Sequence, residues 1–376
     1  MKKIQMVDLR SQYDTIKNEI DTAIQEVINS SSFINGPAVK EFARDLEQYL
    51  DIKHVIPCAN GTDALQVALM ALDLQPGDEV ITSSFTFIAT VEVIALLGLT
   101  PVLIDVEADS YNLDPKLMEQ AITPKTKAII PVHLFGQSAN MEEIMRIADK
   151  YKLAVVEDTC QAIGANYTFS NGNRVKTGTI GDIGCTSFFP SKNLGAYGDG
   201  GALFTNNDHL AEIIRSIVNH GMKVRYYHDR IGVNSRLDTI QAAILKVKLK
   251  YLDDYSGERN KAAAFYNTAF KDSDKLQTPV TSSFTDHVFH QYTMVTRNID
   301  RAGLQQFLKE KDIPAMIYYP VPLHKQKAFD RSNYKSVELP VTDQLAATVI
   351  SLPMQTELDD EQLRYITEAV LEYCQQ

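Results

Sequence analysis

Short apolar runs alternate with helical patterns between about residues 52 and 205, and this alternation constrains the fold more than any other feature of the chain. The clearest apolar runs are Glu79-Val80-Ile81, Val102-Leu103-Ile104, Ala128-Ile129-Ile130-Pro131-Val132 and Val155-Val156. Strands that alternate with helices form a mostly parallel sheet whose two faces are both covered by helices. The pattern therefore predicts an α/β fold, in which ligands bind beyond the carboxyl ends of the strands.

The chain of 376 residues is long enough for a large domain and a smaller one. A single long helix is predicted at about 237–255, where the alternating region ends. Beyond it the pattern changes, with a strand predicted at 291–295 and a helix at 301–311. We therefore expect a large domain at 1–250 and a smaller C-terminal α+β domain at 251–376.

Composition excludes several classes of protein. Hydrophobic residues make up 44% of the chain and charged residues 23%, which is typical of a folded, soluble protein. The net charge of −11 argues against a nucleic-acid binder, which needs clustered lysine and arginine. The four cysteines have neither zinc-site nor disulfide spacing, and no long apolar stretch opens the chain. We expect a cytoplasmic protein with reduced thiols and no membrane contact.

Lys192 is the strongest candidate for a reactive residue. It follows an apolar, strand-like run at 185–189 and precedes a glycine cluster at 195–201 that can bend tightly around a ligand. A lysine in such a place can form a Schiff base with pyridoxal phosphate (PLP). Taken alone, Lys192 would be better explained as a solvated loop lysine, as most lysines are.

Two further segments could bind the same cofactor. Asp158 ends the apolar run 153–157, and a carboxylate there can keep a pyridine nitrogen protonated. The run 54–58 leads through Asn60 and Gly61 into a helical pattern, for which Thr62 and Asp63 are good N-cap types. Free N–H groups at such a helix start favour a phosphate. Each segment alone could also be an ordinary capped helix.

In their order and spacing these segments resemble the DegT/DnrJ/EryC1/StrS family, the sugar aminotransferase branch of the PLP enzymes. Three more segments carry the resemblance: Phe33-Ile34-Asn35-Gly36-Pro37, Ser84-Phe85-Thr86-Phe87-Ile88-Ala89-Thr90 and Tyr319-Pro320-Val321-Pro322-Leu323-His324. The resemblance implies the type I fold of PLP-dependent aminotransferases, with a mostly parallel mixed sheet in the large domain.

The resemblance also implies roles for individual residues. The residues that match the family's cofactor contacts are Gly61, Thr62, Phe87, Asp158, Cys160, Gln161, Ser187, Lys192 and Asn234. Lys192 would carry the cofactor, Asp158 would face the pyridine nitrogen, and Gln161 would bond the phenolic oxygen.

The remaining matches would hold the phosphate and the two ring faces. Gly61, Thr62 and Ser187 would bind the phosphate, joined by Asn234 from the partner subunit of a homodimer with shared active sites. Phe87 would stack on the ring. Cys160 would form the floor below it, where the family usually has alanine.

The activity implied is transfer of an amino group from L-glutamate to a nucleotide-linked keto sugar, in surface polysaccharide or amino-sugar biosynthesis. The forms of the segments 234–238 and 319–326 are similar to members that aminate C3, with UDP-2-acetamido-2-deoxy-3-oxo-glucuronate as the expected acceptor. A dTDP-3-keto-6-deoxyhexose is the close alternative. Arg236, Tyr319 and His324 are the candidate substrate contacts, and Arg236 belongs to a basic segment that we expect to line the substrate entrance.

Three other functions stay open on the sequence. A PLP-dependent sugar dehydratase shares the fold, but such members resemble this chain with histidine in place of Lys192. A non-catalytic ligand sensor on the same fold would show no spectral response to glutamate. A nicotinamide dehydrogenase is disfavoured because the glycine cluster at 195–201 lacks the spacing and the place in the chain of a dinucleotide-binding loop.

Overall fold

A computed structural model describes residues 2–329 and 337–375 of the chain. The strands are β1 (His54–Cys58), β2 (Glu79–Ser83), β3 (Thr100–Ile104), β4 (Thr126–Ile130), β5 (Ala154–Asp158), β6 (Asn166–Thr168), β7 (Arg174–Lys176), β8 (Ile183–Ser187), β9 (Gly201–Thr205), β10 (Met222–Val224), β11 (Tyr227–His228), β12 (Leu276–Gln277), β13 (Tyr292–Thr296) and β14 (Val349–Leu352).

Helices cover the strands and connect them. The α-helices are α1 (Leu9–Ser30), α2 (Pro37–Leu50), α3 (Gly61–Ala71), α4 (Ala89–Leu96), α5 (Pro115–Ala121), α6 (Met141–Tyr151), α7 (Asp208–Ile217), α8 (Thr239–Leu249), α9 (Leu252–Phe270), α10 (Arg301–Glu310), α11 (Pro340–Thr348) and α12 (Asp360–Cys374). Short 3-10 helices lie at Leu134–Gly136, Leu323–Lys325 and Lys327–Phe329. None of the helices in residues 2–329 and 337–375 combines the length and the apolar character needed to cross a membrane.

The large sheet has seven strands in the order β1-β9-β8-β5-β4-β2-β3. Strands β8, β5, β4, β2 and β3 pair in parallel, whereas β9 runs antiparallel to both of its neighbours. Parallel pairing brings the carboxyl ends of β5 and β8 side by side, with Asp158 opposite Cys185. The predicted α/β fold with a mostly parallel mixed sheet is confirmed.

Apolar side chains fill the space on both faces of this sheet. On one face α3, α4 and α7 contribute Leu65, Val93 and Ile214 to a core that includes Val156. On the other face α5 and α6 pack against a core that includes Val155. Successive residues of a strand point to opposite faces, so the two neighbouring valines of β5 serve two different cores. The uninterrupted apolar runs in the sequence follow from this double burial.

The single helix predicted at 237–255 is wrong. The structure has two helices, α8 and α9, which are separated at Tyr251 (φ −105°, ψ 1°). Glu19 of α1 accepts hydrogen bonds from Lys250 and from the Tyr251 hydroxyl at this break. Because neither glycine nor proline marks the position, the local sequence does not indicate the break.

A second, smaller sheet is antiparallel and has the strand order β12-β13-β14. Helices α9, α10 and α12 cover it with an apolar core that includes Tyr266, Leu304 and Ile366. Ile4, which precedes α1, packs into the same core. The predicted strand and helix near 291–311 are confirmed, and the domain boundary at residue 250 stays a prediction.

Lys248 is a buried lysine on α8, with 1% of its surface exposed. Its Nζ donates a hydrogen bond of 2.6 Å to the carbonyl of Gly195, in the turn that follows Lys192. Burial, with a smaller effect of the Arg259 charge, lowers the pKa of Lys248 to about 7. An unfolded chain would hold this proton up to a pH of about 10.4.

The Lys248→Met variant should flatten the pH dependence of stability. Between pH 7 and about 10 the unfolded chain binds a proton at Lys248 that the folded chain does not, so the free energy of unfolding rises with pH, by at most about 1.4 kcal/mol per unit from this residue. Urea denaturation of both proteins between pH 7 and 9.5 measures the slope. Lys246→Met, which removes an exposed ion pair with Glu41, is the control. Identical slopes for wild type and Lys248→Met would contradict the expectation.

Candidate active site

A cavity of about 720 Å³ opens at the carboxyl ends of β5 and β8 and at the start of α3. Most of the predicted site residues line it: Gly61, Thr62, Phe87, Asp158, Cys160, Gln161, Ser187, Lys192 and Tyr319. The other three predicted residues, Asn234, Arg236 and His324, are not among its lining residues. One protomer therefore brings together the predicted cofactor contacts, with the exception of Asn234.

Lys192 lies in a tight turn that follows β8. Its backbone N–H donates to the carbonyl of Phe189 at 2.8 Å. A Cβ at Gly195 would lie 2.2 Å from the carbonyl oxygen of Pro190, so the turn requires a glycine there. Burial lowers the pKa of Lys192, and the nearby Cys160 and Asp158 offset part of this effect. A lowered pKa leaves more of the amine neutral, and the neutral amine is the form that attacks a carbonyl or accepts a proton.

Asp158 is held in one orientation at the end of β5. Its carboxylate accepts hydrogen bonds from the Thr90 hydroxyl at 2.8 Å and from the Cys160 backbone N–H at 3.2 Å. Only 5% of its surface is exposed. Thr90, in the first turn of α4, was not predicted as a site residue, although it ends one of the segments that carry the family resemblance.

The start of α3 forms a cradle of unused N–H groups. Asn60 is the N-cap residue, and its side-chain oxygen accepts from the Asp63 N–H at 2.8 Å. The predicted caps, Thr62 and Asp63, are wrong because the helix already begins at Gly61. Within the described part of the chain, the N–H groups of Gly61 and Thr62 have no acceptor. Together with the Ser187 side chain, which lines the cavity beside them, they fit a phosphate group.

The side-chain amide of Gln161 has a fixed orientation. Its oxygen accepts from the Phe135 N–H at 3.0 Å, and its nitrogen lies 3.2 Å from the Tyr319 hydroxyl, to which it donates. The donor end of the amide therefore faces the cavity, as a hydrogen bond to a phenolic oxygen requires. Burial raises the pKa of Tyr319, which keeps its hydroxyl protonated.

Phe87 and Cys160 both lie on the cavity wall, where they could contact the faces of a flat ring. Phe87 is 53% exposed, and its ring centroid lies 6.3 Å from that of Tyr319. Burial raises the pKa of the Cys160 thiol well above its usual range, so the thiol stays neutral and behaves as a small apolar group. The residues present thus fit PLP at its phosphate, its pyridine nitrogen, its phenolic oxygen and its ring faces.

The three predicted residues outside this cavity lie in other environments. Asn234 is exposed and pairs through its backbone with Asn219. Arg236 lines a separate cavity of about 480 Å³, together with Arg44 and Arg215. The imidazole of His324 lies between the Ser84 hydroxyl, at 2.8 Å from Nδ1, and Asp343, at 3.2 Å from Nε2.

A lysine of lowered pKa, an oriented aspartate and a phosphate-binding helix start meet in one cavity of this α/β fold, as a PLP-dependent enzyme requires. When bound, PLP supplies an electron sink for negative charge at the substrate carbon. The chain belongs to the DegT/DnrJ/EryC1/StrS aminotransferase family, whose family model matches residues 14–371.

Individual relatives match over nearly their whole length. The chain is 47% identical to a UDP-2-acetamido-2-deoxy-3-oxo-D-glucuronate aminotransferase of Pseudomonas aeruginosa, over 98% of this chain and 99% of that one. It is 48% identical to a protein of Geobacillus stearothermophilus called a pleiotropic regulatory protein, over 98% of both chains. The crystal structure of S. venezuelae DesV in complex with a ketimine intermediate superposes with a TM-score of 0.94, at 37% identity and full coverage of both chains.

Gly61→Ala should weaken phosphate recognition in particular. The added Cβ would lie 2.6 Å from the Cβ of Ser187, so the cradle must widen. We expect the preference for PLP over pyridoxal, which lacks the phosphate, to fall at least about tenfold, equivalent to about 1.4 kcal/mol. Equilibrium dialysis with both compounds measures the preference. Gly257→Ala is the matched control, because nothing lies within 4 Å of the added Cβ. An unchanged preference in Gly61→Ala would contradict the assigned phosphate site.

Proposed function

We propose that this aminotransferase moves the amino group of L-glutamate to C3 of a UDP-linked 3-keto hexuronic acid similar to UDP-2-acetamido-2-deoxy-3-oxo-glucuronate. The observation that carries the proposal is the 47% identity, over nearly the full length of both chains, to the Pseudomonas aeruginosa enzyme named for that acceptor. The proposed setting is surface polysaccharide synthesis in the cytoplasm.

Several residues of the cavity have definite tasks in such a transfer. The Nζ of Lys192 would take the proton from the donor carbon that is bonded to the transferred nitrogen. It would return the proton to the carbon on the opposite side of that nitrogen. Asp158, oriented by Thr90, would stabilise the positive charge on the pyridine nitrogen of bound PLP. The N–H groups of Gly61 and Thr62 and the Ser187 hydroxyl anchor the phosphate, so that the reacting carbon stays within reach of Lys192.

The wild-type enzyme should aminate the UDP-linked 3-keto uronate faster than any 4-keto sugar or dTDP-linked 3-keto-6-deoxy sugar in a panel supplied with glutamate. Mass spectrometry of the products identifies the carbon that gains nitrogen. Lys192→Ala should lose more than the roughly 10²–10⁴-fold typical of one acid–base group, because it removes covalent and proton-transfer roles together. Preferred amination of the dTDP sugar would replace the proposed acceptor. No amination with any panel member would favour a non-catalytic role, in line with the regulatory name of the Geobacillus relative.

We also propose that two chains form a two-fold homodimer in which Asn234 reaches the cofactor of the partner subunit. Asn234 is exposed and lies outside the cavity of its own chain. Large apolar side chains stand exposed just before it, with Tyr226 75%, Tyr227 69% and Ile231 86% exposed. Such a group on one surface favours a protein interface. Arg236 would then face the partner's substrate, whose carboxylate a guanidinium can bind by two parallel hydrogen bonds.

A mixture of inactive Lys192→Ala and Asn234→Ala subunits should recover activity. If the sites are shared, a heterodimer keeps one site with both wild-type residues, and random exchange gives about a quarter of the wild-type activity. Activity is followed after unfolding and refolding of the mixture, with exchange confirmed by mass-tagged chains. Recovery no greater than the sum of the two separate variants would mean that Asn234 serves its own chain.

A further inference from the structure

His290 is a buried histidine that lines the same cavity as Lys192 and that none of the roles assigned above uses. It is 6% exposed. Its Nδ1 is sealed from solvent and has no hydrogen-bond partner among residues 2–329 and 337–375. Its Nε2 also has no protein partner in that part of the chain but is not sealed, so it opens onto the cavity. A buried polar atom without a partner is uncommon and needs an explanation.

The sealed nitrogen determines which tautomer the ring adopts. Orphaned N–H groups in protein interiors are rarer than acceptors that lack a donor. The proton therefore belongs on Nε2, which leaves a bare lone pair at Nδ1. Burial, followed by the charges of Lys192 and Arg259, lowers the pKa of His290 well below its usual range, so the ring stays neutral. His290 thus presents one neutral N–H donor to the cavity.

The backbone around His290 is held rigidly. Arg259, itself 3% exposed, donates to the carbonyls of Phe289, His290 and Met354. A Cβ at Gly136 would lie 2.8 Å from the backbone nitrogen of His290, so a neighbouring loop packs directly against the backbone there. Such support is typical of residues whose position matters for binding.

The same loop is tied to the turn that carries the reactive lysine. The side chain of Asn193, the residue after Lys192, donates to the carbonyl of Val288 at 2.9 Å. The donor on His290 and the amine of Lys192 are therefore positioned by directly connected segments.

We propose that His290 contacts the substrate, and that its Nε2–H donates a hydrogen bond to a substrate oxygen next to Lys192. The proposal rests on the proposed function only for the identity of that oxygen. A carboxylate of the amino donor and a hydroxyl or carboxylate of the sugar offer the same acceptor chemistry. No arginine within the described residues of this chain lines the cavity, so what the chain itself offers to an oxygen beside the lysine is a neutral donor such as His290.

Variants at position 290 distinguish the effect of losing the N–H donor from the effect of losing the ring. His290→Gln places an amide N–H near the position of Nε2, whereas His290→Phe keeps a ring and removes the donor. Calorimetry on the PLP-loaded enzymes measures the affinity for glutarate, which represents the amino donor, and for UDP-N-acetylglucosamine, which represents the acceptor. We expect His290→Phe to lose about tenfold in affinity for one of the two ligands, the scale of one hydrogen bond, with His290→Gln within about threefold of wild type.

Two further variants exclude a merely structural effect. His290→Asn, which carries its amide nearer to the sealed nitrogen, should lose affinity as His290→Phe does. His287 lies in the same loop, is also buried and accepts from the Phe289 N–H at Nδ1, but it is not among the cavity-lining residues. His287→Asn keeps an acceptor for that bond and should bind both ligands as wild type does.

Three results would overturn the role of His290. They are wild-type affinity for both ligands in His290→Phe, an equal loss in His290→Gln and His290→Phe, and an equal loss in His287→Asn. Failure of the proposed function would be seen in a different measurement, the keto-sugar panel, in which the wild-type enzyme would aminate no keto sugar. The glutarate arm does not depend on the identity of the acceptor.

Discussion

The fully buried carboxylate of Glu157 fixes the carboxyl end of β5, on which the site is built. It accepts hydrogen bonds from Nε2 of His133 and from the N–H groups of Gly178, Ile180 and Gly181. His133 is neutral, because its Nδ1 accepts from the Ala139 N–H and only Nε2 can then carry the proton. A buried anion is tolerated only with such a complete set of donors. The carboxylate therefore ties the end of β5 to the chain beyond β4 and to the segment that enters β8.

Asp158, the residue after Glu157, is held by this rigid end of the strand. Side chains alternate between the faces of a strand, so Asp158 points away from Glu157 and into the cavity. Its direction is then set by Thr90, which comes from α4, a helix on a different connection of the sheet. Asp158 also lies opposite Cys185 in the register of β5 and β8, the strand that leads into the turn of Lys192. The position of the amine relative to the carboxylate thus depends on the pairing of β5 with β8 and on the tight turn that follows β8.

Local patterns in the sequence predicted the strands and the residues that end them, because double burial leaves a continuous apolar run. Family resemblance supplied Phe87, Cys160 and Gln161, whose residue types alone indicate no role. The break between α8 and α9 could not be predicted, since neither glycine nor proline marks it and its contact with Glu19 comes from a distant part of the chain. The role of His290 was also hidden, because an unpartnered ring nitrogen is a property of the packed structure. The helix break and the environment of His290 both depend on contacts between residues far apart in the sequence, and not on local helix or strand propensity.

The charges around the cavity favour a site completed by a second chain. Its described lining includes Asp63, Asp158 and Asp199, whereas Lys192 is the one lysine or arginine there and His290 is neutral. A nucleotide sugar carries two phosphate charges, and an acidic cavity within a chain of net charge −11 would repel it. Arg236 has cationic neighbours, Arg44 and Arg215, but they line a different cavity of the same protomer. A two-fold axis that carries such a cluster to the partner's cavity would place cations where the substrate needs them, which is why we assign Arg236 and Asn234 to the same shared site.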